Sequence, residues 1–386
     1  MKVLFDPQIF SSQRVGGISR LFAGLFDAFD LDARVDWSVV IDFPHNLYIQ
    51  ELERCRGPVT RYSQFLGGKR FRGKGHFYRA LCAVSRYKSE RLETVRQAQE
   101  GDVDLFHPTY YDDYFLRDLK GLPFVLTVYD MIHEMFPECL NDPVTVDRKK
   151  RLIHGARRII AISHSTKNDL IRLTGVNENK IDVVHLANFI TSKPGLAKCF
   201  DVPERYILFV GGRVGYKNFR RMFQAAARLM HHDRELYLVC VGGAQENGWF
   251  PAEEARLIAS EDLIDRVLIR SATDSDLLRW YQCAQCLVFP SLYEGFGLPI
   301  LEAFDNHCPV AASSISAMLE VGGDCAVYFD PESVESIAEC MERLLNSREL
   351  RGHLRLVAKE RAAQFSVRRM VKETVDVYEA ALFEHR

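Results

Sequence analysis

Short apolar runs alternate with helical stretches along most of the chain, and the alternation starts afresh at Tyr206. In the first half VDWSVVI, VDLFHP, PFVLTVYD, RRIIAIS and KIDVVHL are rich in Val, Ile and Leu and bounded by polar or turn residues. Buried parallel strands have that character. The segment SHSTKNDLIRLTG reads as a helix between two of them, with Ser163 or Ser165 placed to cap its start and Gly175 to end it. In the second half YILFVGG, ELYLVCVGG, RVLIRS, CLVFPS and CPVAAS alternate with KNFRRMFQAAARLM, LLRWYQ, LPILEAFD and SVESIAECMERLL. The first of these helices puts Phe223, Ala226, Ala227 and Met230 on one face. Repeated β-α-β units on both sides of a break predict an α/β chain with two Rossmann-like domains and parallel sheets. At 386 residues it also exceeds what one core usually covers.

The break falls in SKPGLAKCFDVPER, which has Pro, Gly and charges but no apolar period. The expected organisation is an amino-terminal domain over 1–191, a linker over 192–205 and a second domain over 206–366. The last stretch, 367–386, forms a helix placed to pack back on the first domain.

A net charge of −2 gives no global attraction to nucleic acid, and none is expected as a partner. No apolar run approaches the ~20 residues of a membrane span, and MKVLFDPQIF reads as a first strand, not a signal peptide. A cytoplasmic protein is expected. Ten scattered cysteines fit a reducing compartment, and the pair Cys283 and Cys286 reads as small buried hydrophobes. The stretch from Arg61 to Arg96 is rich in Arg and Lys with few acids. It is either a solvated helical face or a patch for the cytoplasmic face of the membrane or a phosphate-bearing acceptor.

The densest chemical signal is PSLYEGFGLPILEAF, residues 290–304. Glu294 lies in a Gly-rich loop after a strand, and Pro299 suits the first turn of the helix that follows. Glu302 falls in the first turns of that helix, so both carboxylates can face one crevice. The N–H groups of Phe296, Gly297 and Leu298 would make a phosphate site at the helix start. A strand–loop–helix joint with two exposed glutamates is the plainer alternative. In FVGGRVGYKNF a strand ends at Gly211-Gly212, Arg213 sits in the loop and Lys217 opens a helix. Two cations there suit a diphosphate, and would stabilise it more as its charge grows on bond cleavage.

Gly16-Gly17 follows the first strand and lets backbone approach a ligand closely. It is not a full GxGxxG, so a nicotinamide site is not indicated. In LTVYDMIHEMFPE, Asp130 and His133 follow a strand end and could orient sugar hydroxyls or accept a proton. His107 raises the same question, and Asp112-Asp113 has no evident metal-ligand partner nearby.

Together these residues resemble the retaining glycosyltransferases of family 4, which have the two-domain GT-B fold. The resemblance covers nearly the whole chain and is strongest from Tyr206 to Leu345, where E-x7-E (Glu294 to Glu302) and GGRVGYKN carry it. It implies that Arg213 and Lys217 hold the donor diphosphate, Glu302 the donor ribose, and that Glu294 sits near the donor sugar. Gly212, Phe296, Gly297 and Leu298 would lie along the donor, Gly16 and Gly17 would face its diphosphate, and Ser163 would line the cleft. Many relatives carry His-Asp where this chain has Tyr129-Asp130, so Tyr129 stands in place of a sugar-contacting His. The family implies no metal and no cofactor beyond the nucleotide sugar. The expected reaction moves a hexose, mannose from GDP-mannose first, to a glycan or polyprenyl-diphosphate-linked acceptor in bacterial polysaccharide or lipopolysaccharide synthesis. A UDP-sugar transferase, a sugar-nucleotide epimerase and a non-catalytic nucleotide-binding relic are the alternatives.

Overall fold

The computed structural model describes residues 1–41, 46–52, 89–190, 202–242 and 252–384. Most of the linker 192–205, and the basic stretch up to residue 88, lie outside them. The rest of that stretch is helical over 89–100, where Arg91 pairs with Asp112 and Arg96 with Glu93 and Glu100.

Twelve strands are described: β1 Lys2–Phe5, β2 Asp36–Val39, β3 Leu105–His107, β4 Val125–Val128, β5 Arg158–Ala161, β6 Ile181–Val183, β7 Tyr206–Val210, β8 Tyr237–Val241, β9 Val267–Arg270, β10 Cys286–Phe289, β11 Val310–Ser313 and β12 Val327–Phe329. Every paired neighbour runs parallel. β2-β1-β3 and β4-β5-β6 are two three-stranded sheets, linked by a single bridge between Phe106 and Phe124. The second half builds one six-stranded sheet, β12-β11-β10-β7-β8-β9. Its outer strand β12, VYF, is only three residues long with a partly exposed Tyr at its centre, and the apolar-run criterion passes over it.

The strand order decides where a ligand can sit. In the second sheet the winding goes outward from β7 through β8 to β9, then reverses to β10, β11 and β12. At such a reversal the loops leaving the two central strands diverge to opposite faces and leave a crevice at the carboxyl ends. The loops in question are those after β7 and β10, which contain Arg213 with Lys217 and Glu294 respectively. The first half has its own reversal between β1 and β3, which places the Gly16-Gly17 loop at the same kind of crevice.

The helices are set by caps and apolar stripes. Ser163 caps His164–Thr174 by accepting from Thr166 N, and Gly175 ends it in the left-handed region at φ 67°. Phe219–His232 buries Phe223, Ala226, Ala227 and Met230 as the spacing predicts, and Phe219, Met222 and Ala225 besides. Val367–Phe383 lies against the Gly17–Phe29 helix and β5, with Tyr378 buried beside Phe29 and His107. Cys286 is buried in β10 and Cys283 is exposed, both as free thiols.

Candidate functional site

β7 runs into Gly211, whose φ of 126° favours glycine, and Gly211 N donates to Val241 O. A short 3-10 turn, Gly215–Lys217, follows, and Asn218 in the left-handed region starts the next helix. The buried Asn218 amide donates to Pro290 O and Pro331 O, so this loop is tied to the end of β10. Leu292 N donates to Tyr216 O at 2.7 Å, a second tie between the two loops. This bracing brings Lys217 Nζ to 2.5 Å from Glu294 Oε1, which also accepts from Ser291 Oγ at 2.7 Å. The two residues are 18% and 12% exposed, so the pair is shielded without being sealed.

Beyond Glu294 the chain turns through Gly295 and Phe296 to Gly297, the N-cap of the helix Leu298–Asp305. Gly297 has φ 117°, a conformation side chains resist, and Pro299 stands in the first turn. The opening N–H groups of any helix lack carbonyl partners four residues back and so suit an anion. Glu302 lies one turn further and is 5% exposed. Its Oε2 accepts from Tyr281 Oη at 2.7 Å and its Oε1 from Arg20 Nη1 at 3.3 Å. Burial pushes the Glu302 carboxyl up from its usual range, with Arg20 and Tyr281 pulling the other way. Glu294 and Glu302 therefore have separate cations, Lys217 and Arg20.

Arg213 has a different set of partners from Lys217. Its Nε donates to Glu254 at 2.6 Å and its Nη1 to Gly242 O at 3.0 Å, with only 3% of the side chain exposed. It lines a cavity of about 900 Å³ with Gly215, Arg220 and Glu254. The two cations predicted to act together are thus held by different carboxylates.

The first half supplies the opposite wall. Ser163 is fully buried, and its Oγ donates to Gly295 O at 2.6 Å while Thr166 Oγ1 donates to the same oxygen at 3.0 Å. Ser163 therefore grips the Gly-rich loop and does not offer its hydroxyl to open space. Tyr293 Oη accepts from Met131 N and donates to Asp169. The Tyr129 carbonyl lies so close to Gly295 that a Cβ there would stand 1.8 Å from it, with Asp130 Cβ at 3.1 Å. Asp130 thus faces the loop that carries Glu294; its Oδ1 accepts from Ile132 N and its carbonyl from the buried Lys149.

Two sequence expectations need correction. Tyr129 does not take the place of a sugar-contacting His, because its ring is buried and its hydroxyl donates to Thr109 O. His107 is a core residue: its two ring nitrogens meet Tyr378 Oη at 2.7 Å and Thr127 Oγ1 at 2.9 Å, and burial lowers its pKa to about 3. His133 sits in the short helix Ile132–Met135, and among the described residues its buried Nδ1 has no hydrogen-bond partner. Asp112 and Asp113 are neutralised by Arg91, Arg148 and Arg151. Gly16 caps the Gly17–Phe29 helix, and among the described residues nothing lies within 4 Å of the position a Cβ would take at Gly17.

Sequence reasoning passed over Arg20, Ser291, Tyr281 and Lys149. Arg20 carried a signal: it lies one turn into the helix that Gly17 opens, the face that follows the ligand loop. Its Nη2 donates to Asp274 at 2.6 Å and to Tyr48 Oη at 2.9 Å. The others are recognisable only from their partners in space.

Comparison with known proteins shows the family. Residues 198–361 match the family described as Glycosyl transferases group 1, and residues 50–187 match Glycosyltransferase Family 4. An MMP alpha-(1->4)-mannosyltransferase of Mycolicibacterium hassiacum is 31% identical over 314 residues, covering 76% of this chain and 74% of the relative. The chain belongs to glycosyltransferase family 4. A second relative of this family 4 chain, O-antigen chain mannosyltransferase B of Escherichia coli, is 28% identical over 247 residues. That match covers 58% of this chain and 61% of the relative's length. Sucrose-phosphate synthase of Thermosynechococcus elongatus superposes with a TM-score of 0.71 at 18% identity, covering 100% of both chains. The fold is GT-B, two Rossmann-like halves whose parallel sheets face across a cleft. No helix among the described residues is long and apolar enough to cross a membrane.

Proposed function

We propose that this family 4 chain transfers a hexose, with retention of configuration, from a nucleoside-diphosphate sugar to a glycan or lipid-linked acceptor. The observation that carries the reading is the Lys217–Glu294 pair at the reversal of strand order, beside the helix start at Gly297. Lys217 would hold the diphosphate while the helix N–H groups face its oxygens. Arg213, released from Glu254, would join it. Glu302 would accept from the ribose hydroxyls once they displace Arg20, and Glu294 with Asp130 would border the sugar. Gly16 and Gly17 would let the amino-terminal backbone close over the diphosphate.

In the reaction the bond from the anomeric carbon to the diphosphate oxygen breaks, and the acceptor oxygen bonds the same face of that carbon. The acceptor proton passes to the departing phosphate oxygen, so the diphosphate serves as leaving group and as base. Its growing negative charge is what Lys217 stabilises, most in the transition state. Cations supplied by the protein can do what a bound metal would otherwise do, so metal-independent turnover is expected.

Mannose from GDP-mannose is the favoured donor, because both relatives compared are mannosyltransferases by name. A UDP-sugar is the competing donor. The basic stretch 61–96 would give peripheral contact with the cytoplasmic face of the membrane, which charge reversal and vesicle sedimentation would check. The deciding assay is release of nucleoside diphosphate from a panel of nucleotide sugars, with and without EDTA. Turnover of one donor, not reduced by EDTA and at least 100-fold lower in Lys217→Ala with the fold intact, is the expected result. Near-normal turnover in Lys217→Ala would overturn the assignment.

A further inference from the structure

A cluster outside the donor crevice joins the two halves of the chain. His164 opens the helix His164–Thr174 and His185 follows β6, both in the first half, while Glu320 lies on the helix Ser316–Gly322 of the second. One ligand atom from each, two imidazole nitrogens and a carboxylate oxygen, lie within 4.8 Å of one another. We propose that His164, His185 and Glu320 form a binding site for one borderline transition-metal dication, Zn²⁺ the natural probe, that fastens the two halves together.

The donor set suits such an ion. Two imidazoles and one carboxylate are ligands that Zn²⁺ and Co²⁺ accept, leaving a fourth position for water. That position opens to solvent, because His164 is exposed. Tetrahedral bonds of ~2.0–2.1 Å put ligand atoms about 3.4 Å apart, so the groups need shift by roughly 1 Å. His185 Nε2 stands 2.7 Å from Glu320 Oε1, so this pair must part by about 0.7 Å to admit the ion. The His164 and His185 rings are edge-on, with centroids 5.7 Å apart.

The surroundings hold these ligands in place. Glu320 Oε1 accepts from His164 N at 2.8 Å and Oε2 from Ser165 N at 3.0 Å, so its carboxylate is oriented from the other half of the chain. His185 is packed between Phe296 and Phe365, ring centroids 6.0 and 5.5 Å away. Outer contacts of this kind fix ligand orientation. Phe296 belongs to the loop between Glu294 and Gly297, so an ion here would hold that loop against the first half. If the halves separate to exchange donor and product, the occupied site would slow that step without touching the reacting groups.

The test uses the full chain freed of metal by chelation. Zn²⁺ is titrated by calorimetry, and Co²⁺ by its visible absorption. One site per chain is expected, weakened at least tenfold in His164→Ala and in His185→Ala. His164→Ala is the sharper variant: among the described residues its ring takes no hydrogen bond, so the fold is expected to keep its stability. Zn²⁺ should also raise the melting temperature of the wild type and leave that of His164→Ala unchanged. Equal affinity in wild type and His164→Ala would assign the ion to other ligands, such as the cysteines, and overturn the proposal, as would no binding at all. Because the readout is binding, its failure is separate from any failure of the transferase reading.

Discussion

Gly295→Ala would test whether the halves must meet as they do here. The position is not in the left-handed region, so alanine there meets no positive-φ strain. The added Cβ, however, would sit 1.8 Å from Tyr129 O, a backbone atom of the opposite half. Contact at about 3.0 Å or more requires the halves to part there by roughly 1.2 Å. The bonds from Ser163 Oγ and Thr166 Oγ1 to Gly295 O, now 2.6 and 3.0 Å, would lengthen past hydrogen-bonding range. Two bonds at about 1 kcal/mol each put the closed arrangement about 2 kcal/mol higher. If closure precedes chemistry, kcat/KM falls by about 30-fold, since each ~1.4 kcal/mol is tenfold. The assay is nucleoside-diphosphate release under first-order conditions, with circular dichroism as a control for folding. Activity within twofold of wild type, with the fold intact, would refute the reasoning, because the measured contact would then be irrelevant to turnover.

Three further outcomes follow from the geometry. Arg20→Ala leaves the Glu302 carboxylate buried without its cation and should cost about 3 kcal/mol, most of it recovered when Glu302→Gln is added; chemical denaturation of the four variants measures this coupling, and simple additivity would refute the pairing. His107 has its pKa held near 3 against 6.5, so its stabilising contribution is complete above pH 6.5 and is lost as pH falls toward 3. Each pH unit in that window costs about 1.4 kcal/mol, and His107→Asn should show a flatter acid limb in urea melts at pH 4 to 7. Tyr281→Phe removes a donor to Glu302 and should raise the donor KM several-fold with kcat little changed; a fall in kcat alone would place Glu302 at the reacting centre.

Strand periodicity, glycine positions and carboxylate spacing lie along the chain and so were legible in it. The apolar runs located eleven of the twelve strands among the described residues, because a buried parallel strand is nearly all Val, Ile and Leu whatever surrounds it. β12 escaped because three residues with one half-exposed Tyr carry no such pattern. Glu294 and Lys217 could be read as partners of a common ligand because both sit at strand ends, where α/β sheets bind ligands.

The sequence by itself determined two parallel α/β halves, the loops that end their strands and the charges those loops carry. Backbone propensity, apolar periodicity and turn chemistry are local, acting within a few residues. Only the tertiary structure decided which charge meets which. It gave Lys217 to Glu294, Arg213 to Glu254 and Arg20 to Glu302, and it turned His107 and Tyr129 into the core. Those choices join residues as far as 282 positions apart, as Arg20 and Glu302 are. They follow from how the two sheets and their helices pack, and pairwise electrostatics over a few ångströms has no one-dimensional signature.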